Sequence, residues 1–118
     1  MREGMYALGY SSHGPFGDGI GFGSAVFEGG RVYGADPFGA KYDGDYAFNP
    51  ETGLVDVRVK IGFAPNAPAV FGVSHPYEWA VDVVATIDPR LDEGTTRFIP
   101  PVGSPVDVTY RFLRGIPT

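Results

Sequence analysis

Ser74 and His75 stand side by side with Asp82 downstream, the residue types of a hydrolytic triad in which an imidazole activates a hydroxyl and a carboxylate orients the imidazole. Their spacing argues against that chemistry. Gly72-Val73-Ser74-His75-Pro76 lacks the second glycine of a nucleophile elbow, and neighbouring residues of an extended chain point to opposite sides. His13 and His75 are the only two histidines, neither has a partner at ligand spacing, and there is no cysteine, so the sequence holds no zinc set. Asp36, Asp43 and Asp45 do not follow the order of a calcium loop, and Asp and Gly over 43–45 read as turn chemistry. No catalytic residue and no metal ligand is assigned; the expectation is a protein that is not an enzyme and uses no cofactor.

The run Gly17-Asp18-Gly19-Ile20-Gly21-Phe22-Gly23 invites a phosphate-binding reading, but its glycines miss the G-x-G-x-x-G spacing of a dinucleotide site. Ile20, Phe22, Ser24 and Val26 alternate with glycine and alanine, which describes a strand with side chains on one face, bent sharply or crossed closely by another backbone. Gly34 to Lys41 also falls short of a phosphate loop, because Ala40 separates Gly39 from Lys41.

Sheets must position these residues. Val55, Val57, Val59, Ile61 and Phe63 alternate with Leu54, Asp56, Arg58, Lys60 and Gly62, a half-buried strand. Tyr77, Trp79, Val81, Val83, Ala85 and Ile87 repeat the pattern, as do Val106, Val108, Tyr110 and Phe112. Turn signals at intervals of roughly eight to twelve residues predict strands near 4–11, 19–27, 31–36, 40–48, 54–63, 68–74, 77–88 and 105–114. Leu91-Asp92-Glu93-Gly94 reads as a single helical turn, with Thr95 to Ile99 as an extended stretch ended by Pro100-Pro101. Glu28-Gly29-Gly30 and Asn49-Pro50-Glu51-Thr52-Gly53 read as tight hairpin turns, and short links of this kind predict an all-β, antiparallel, up-and-down barrel of lipocalin or calycin type.

A chain of 118 residues suits one domain, 1–118, and its 43% hydrophobic and 19% charged residues are a globular balance. Its apolar runs are too short to cross a bilayer, and the Met-Arg-Glu start has no signal-peptide core, so the expected location is the cytoplasm. The net charge is −5 and the nine Lys and Arg residues are scattered singly, which leaves no stripe for phosphates; neither nucleic acid nor membrane is an expected partner. Aromatic residues make up 14% of the chain. Tyr6, Phe22, Tyr33, Tyr46, Phe63, Trp79, Tyr110 and Phe112 are expected to line the barrel or its mouth, either filling it or leaving room for one small apolar ligand. Leu54, Val84 and Leu113 sit opposite the inward sets, and apolar residues there imply a covered patch and a homodimer.

Met1-Arg2-Glu3-Gly4-Met5-Tyr6, Gly19 to Gly23, Gly29-Gly30-Arg31-Val32-Tyr33-Gly34-Ala35-Asp36 and Tyr42-Asp43-Gly44 together resemble the opening half of the GrlR family. The resemblance implies a small lipocalin-like barrel and a regulatory role, since the founding type represses an activator of type III secretion by binding it. That type meets its partner through an acidic Glu-Asp-Glu-Asp run between the fourth and fifth strands. Here the corresponding loop is Asn49-Pro50-Glu51-Thr52-Gly53, with Glu51 its one charge, so the resemblance carries the barrel further than it carries the partner contact.

Overall fold

In the computed structural model, which describes residues 1–15 and 18–118, the alternation at 54–63 becomes one continuous strand. Val55, Val57, Ile61 and Phe63 of that strand are buried, while Asp56, Arg58 and Lys60 face solvent. In chain order the strands are β1 (Gly4–Ser12), β2 (Gly19–Glu28), β3 (Arg31–Ala35), β4 (Ala40–Asn49), β5 (Leu54–Phe63), β6 (Trp79–Ile87), β7 (Glu93–Phe98) and β8 (Val106–Arg114). All eight belong to one antiparallel sheet in the order β6-β5-β4-β3-β2-β1-β8-β7. It curls into a nearly closed up-and-down barrel, with β6 and β7 side by side but not joined by a ladder. No helix among the described residues is long and apolar enough to cross a membrane.

Two of the turns show why the strands fall where they do. Gly29 and Gly30, at φ of 58° and 82°, form the two-residue link between paired Glu28 and Arg31, a conformation that costs other residues dearly. At the next hairpin but one, Asn49 Oδ1 accepts the Glu51 amide at 2.9 Å and the Asn49 carbonyl accepts the Gly53 amide at 2.8 Å.

Three segments depart from the sequence expectation. Residues 68–74 are not a strand: they belong to the connection 64–78, which lies over one end of the barrel and buries Phe71 there. The segment is apolar because it plugs the barrel. The strand expected over 77–88 begins only at Trp79, and Tyr77 lies outside it, exposed and stacked on His75 with ring centroids 4.9 Å apart. Leu91 to Gly94 form no helical turn; Glu93 and Gly94 open β7, which runs to Phe98 and pairs with β8. Its inward positions are Gly94, Thr96 and Phe98, a set too small and polar to announce a strand by hydrophobic alternation.

The interior packs as two clusters. Tyr6 lies edge-on to Phe27 and Phe112, with centroids 5.2 and 5.4 Å away, and Phe27 in turn meets Tyr46. Arg2 covers this end. Its guanidinium stands 3.7 Å from the Phe112 ring centroid and forks onto Asp92 of the β6–β7 link at 2.6 and 3.0 Å. At the other end Phe63 stacks on Trp79 and meets Phe71 edge-on beneath the 64–78 connection.

Candidate functional site

Of the aromatic residues expected inside, Tyr6, Phe63 and Tyr110 are buried, and Tyr46, Trp79 and Phe112 are half-buried against the core. Phe22 and Tyr33 are corrections. They are 59% and 46% exposed and project from the outer wall. The side chains of β2 do lie on one face, but that face is the outside: the strand turns Gly19, Gly21, Gly23, Ala25 and Phe27 inward, Ala25 and Phe27 being its buried pair. The phase of β3 follows, with Val32 and Gly34 inward.

Close approach explains two of the inward glycines. A Cβ at Gly19 would collide with the Val70 carbonyl, so the backbone crossing expected of this run is present, supplied by the 64–78 connection. A Cβ at Gly23 would lie 2.8 Å from the Tyr42 hydroxyl and 3.0 Å from the Ala35 carbonyl. Gly21 differs, since a Cβ there would meet only the Tyr10 ring at 3.4 Å, an ordinary contact. Gly17, the first glycine of the run, lies outside the described residues.

Beside Gly21 the barrel holds a half-open cleft of about 350 Å³. Its walls include Tyr10, Ile61, Phe63, Phe71 and Phe98, with Ile20 and Phe38 at its edge. Polar groups gather on one side. Asp36 accepts the Tyr42 hydroxyl at 3.1 Å through Oδ2 and the amides of Phe38 and Ala40 at 2.8 and 3.1 Å through Oδ1. Burial holds the Tyr42 phenol far above its ordinary pKa, with Tyr10 and Asp36 adding to the shift. The Tyr10 phenol is raised chiefly by burial as well, with Asp36 adding and its bond to Tyr42 opposing. Both phenols are therefore neutral donors at physiological pH. Asp18, beside Gly19 at the start of β2, also lines the cleft, its carboxylate 3.0 Å from Nδ1 of His13. Sequence reasoning named neither Tyr10 nor Tyr42 for the interior; their inward phase in β1 and β4 was the signal that would have found them.

The outer wall is divided by charge. Outward on β1 stand Met5, Ala7, Gly9 and Ser11, and outward on β2 stand Ile20, Phe22, Ser24 and Val26, all uncharged, with Glu28 following at the hairpin end of β2 opposite Arg31. Register sets them together, Met5 opposite Val26, Ala7 opposite Ser24 and Gly9 opposite Phe22. Tyr33 extends the surface beside Val26, and Phe38 meets Phe22 edge-on at 5.4 Å. Across β4, β5 and β6 the outer wall instead carries opposed charges, with Asp43 opposite Lys60, Asp45 opposite Arg58 and Lys60 opposite Asp82. Asp43 and Asp45 thus belong to a strand and not to a turn, while Asp36 alone organises one. The three proposed contact residues lie apart. Leu113 is exposed at the β1–β8 irregularity near Met5, Val84 is exposed on the charged wall opposite Arg58, and Leu54 is half-buried at the start of β5.

Ser74, His75 and Asp82 are not brought together as a triad: Nδ1 of His75 lies 3.3 Å from the Tyr77 hydroxyl, and Asp82 pairs across strands with Lys60. Residues 36–40 form the turn built on Asp36, and Lys41 projects outward from β4. Among the described residues no group of three or more His, Asp or Glu is placed to hold a metal ion. No family model matches the chain and no curated protein matches it, so the likeness to the GrlR family rests on the quoted residues alone.

Proposed function

We propose that this protein works by association, as a non-enzymatic interaction module of GrlR-like type acting in the cytoplasm, and that its working unit is a homodimer. One observation carries the reading: the uncharged stretch of outer wall from Met5 to Ser11 on β1 and from Ile20 to Val26 on β2, rimmed by Tyr33, Phe38 and Leu113. Exposed apolar patches of this kind on small soluble proteins mark contact surfaces. A second copy suits it, because a chain of net charge −5 repels itself wherever its charges face one another, and the stretch from Ile20 to Val26 beside Met5 to Ser11 brings none to the contact. The β4–β6 wall has the composition of a solvated face.

Light scattering at micromolar concentration tests this. A species of twice the 12.6 kDa chain mass supports the reading, and dissociation by Val26→Asp, with no effect of Val84→Asp on the charged wall, locates the contact. A monomer under these conditions overturns the dimer. A second role, holding a small apolar ligand in the calycin manner, is favoured by the cleft beside Gly21.

A further inference from the structure

We infer that the cleft beside Gly21 binds a small apolar amine, the cation at the Asp36 side and the hydrocarbon body against Phe63, Phe71 and Phe98. The inference rests on the ligand-holding reading and supplies the chemistry that reading leaves open.

Size is the first argument. A volume of about 350 Å³ falls at the small end of the roughly 300–1,000 Å³ that ligand pockets occupy. Gly21 is the second. It has no positive φ, and a Cβ there would make only ordinary contact, so neither backbone conformation nor crowding calls for glycine at a strand position where glycine is unfavourable. Its consequence is open space inside the barrel.

Charge selects the class. Among the described residues two carboxylates, Asp18 and Asp36, line the cleft, and no Lys, Arg or His does. His13, outside the lining, pairs with Asp18. A fatty acid or phosphate would face two negative groups and no cation, whereas an ammonium meets complementary charge. Oδ2 of Asp36 accepts one hydrogen bond, from Tyr42, and keeps a lone pair for a second donor.

Two probes with the same body and opposite charge, 4-phenylbutylamine and 4-phenylbutyrate, test the proposal on the whole protein. Trp79, the single tryptophan, stacks on Phe63 at 4.6 Å and meets Phe71 at 6.2 Å, so its fluorescence reports occupancy from behind the cleft wall. The expected result is saturable binding of the amine at least about tenfold tighter than the carboxylate. Asp36→Asn, which keeps an acceptor for the turn amides, should remove that preference, and Gly21→Leu should abolish binding while circular dichroism shows the sheet intact. Equal or tighter binding of the carboxylate overturns the amine assignment but leaves the cleft a ligand site. Binding of neither probe, or binding unchanged in Gly21→Leu, overturns the cleft itself.

Discussion

The Tyr42 hydroxyl donates to Asp36 across 3.1 Å, and through that one carboxylate an interior ring of β4 is tied to the turn that begins the strand. Asp36 receives three donors, the Phe38 and Ala40 amides and the Tyr42 phenol. The turn and the core therefore share an acceptor.

Asp36→Ala should destabilise the protein by about 2–3 kcal/mol, since it strands partly buried donors, whereas Tyr42→Phe, which removes one bond, should cost about 1 kcal/mol. Urea unfolding of both variants and of the double variant measures the coupling. Additive effects would show that the carboxylate and the phenol do not act as a unit.

Trp79 shares its inward face with buried Val81 and Val83 and stacks on Phe63. It is half-buried, so Trp79→Ala should cost about 3 kcal/mol, the lower end for truncating a packed aromatic. Its Nε1 is buried and makes no hydrogen bond to protein, so Trp79→Phe should cost distinctly less. Equal melting temperatures for the alanine variant and the parent would contradict this packing.

Stability should fall at both ends of the pH scale, for opposite reasons. The Asp88 carboxyl is held down to about 2 by side-chain and backbone hydrogen bonds with Arg90, and Asp107 is lowered by its bond to Arg97. Carboxyls depressed in the folded state stabilise it above their unfolded pKa, and that contribution is lost as pH falls from about 4 toward 2. Arg90, Arg97 and Asp107 carry exposed side chains and Asp88 a partly exposed one, so salt should blunt the acid loss. Tyr10 and Tyr42, raised chiefly by burial, act in the reverse sense: their contribution is full below about pH 10 and is lost as pH rises beyond it. Melting temperature measured against pH should show both arms. Tyr10→Phe should soften the alkaline arm, and Asp88→Asn the acid one.

Where the barrel wall alternates large apolar with charged residues, as in β5 and β8, sequence periodicity reports strand and phase together. In β2 it reports only the strand. Glycine alternates there with Ile20 and Phe22, and the preference of large apolar groups for the interior points the wrong way, because close neighbours leave no room inside for a side chain at Gly19 or Gly23. The 64–78 connection misleads for a related reason: Phe71 is apolar because it caps a barrel, and a plug needs burial without periodicity. The cleft was legible only as a surplus of aromatic residues. Tyr10, Tyr42 and Asp36 meet through a register that the spacing of turns does not determine.

The gap in the barrel lies between β6 and β7, which are consecutive in the chain, while β1 and β8, nearly the full sequence apart, are joined by a ladder that sets Tyr6 opposite Phe112. Read from β7, the sheet order is a simple meander entered partway along. Every other ladder joins neighbours in sequence, the longest of their connections being 64–78 between β5 and β6, so the β1–β8 pairing carries the largest loop-closure entropy. Folding thus has one distant meeting to make. A circular permutant with β8 linked back to β1 and opened between β6 and β7 would keep every ladder while making all of them local.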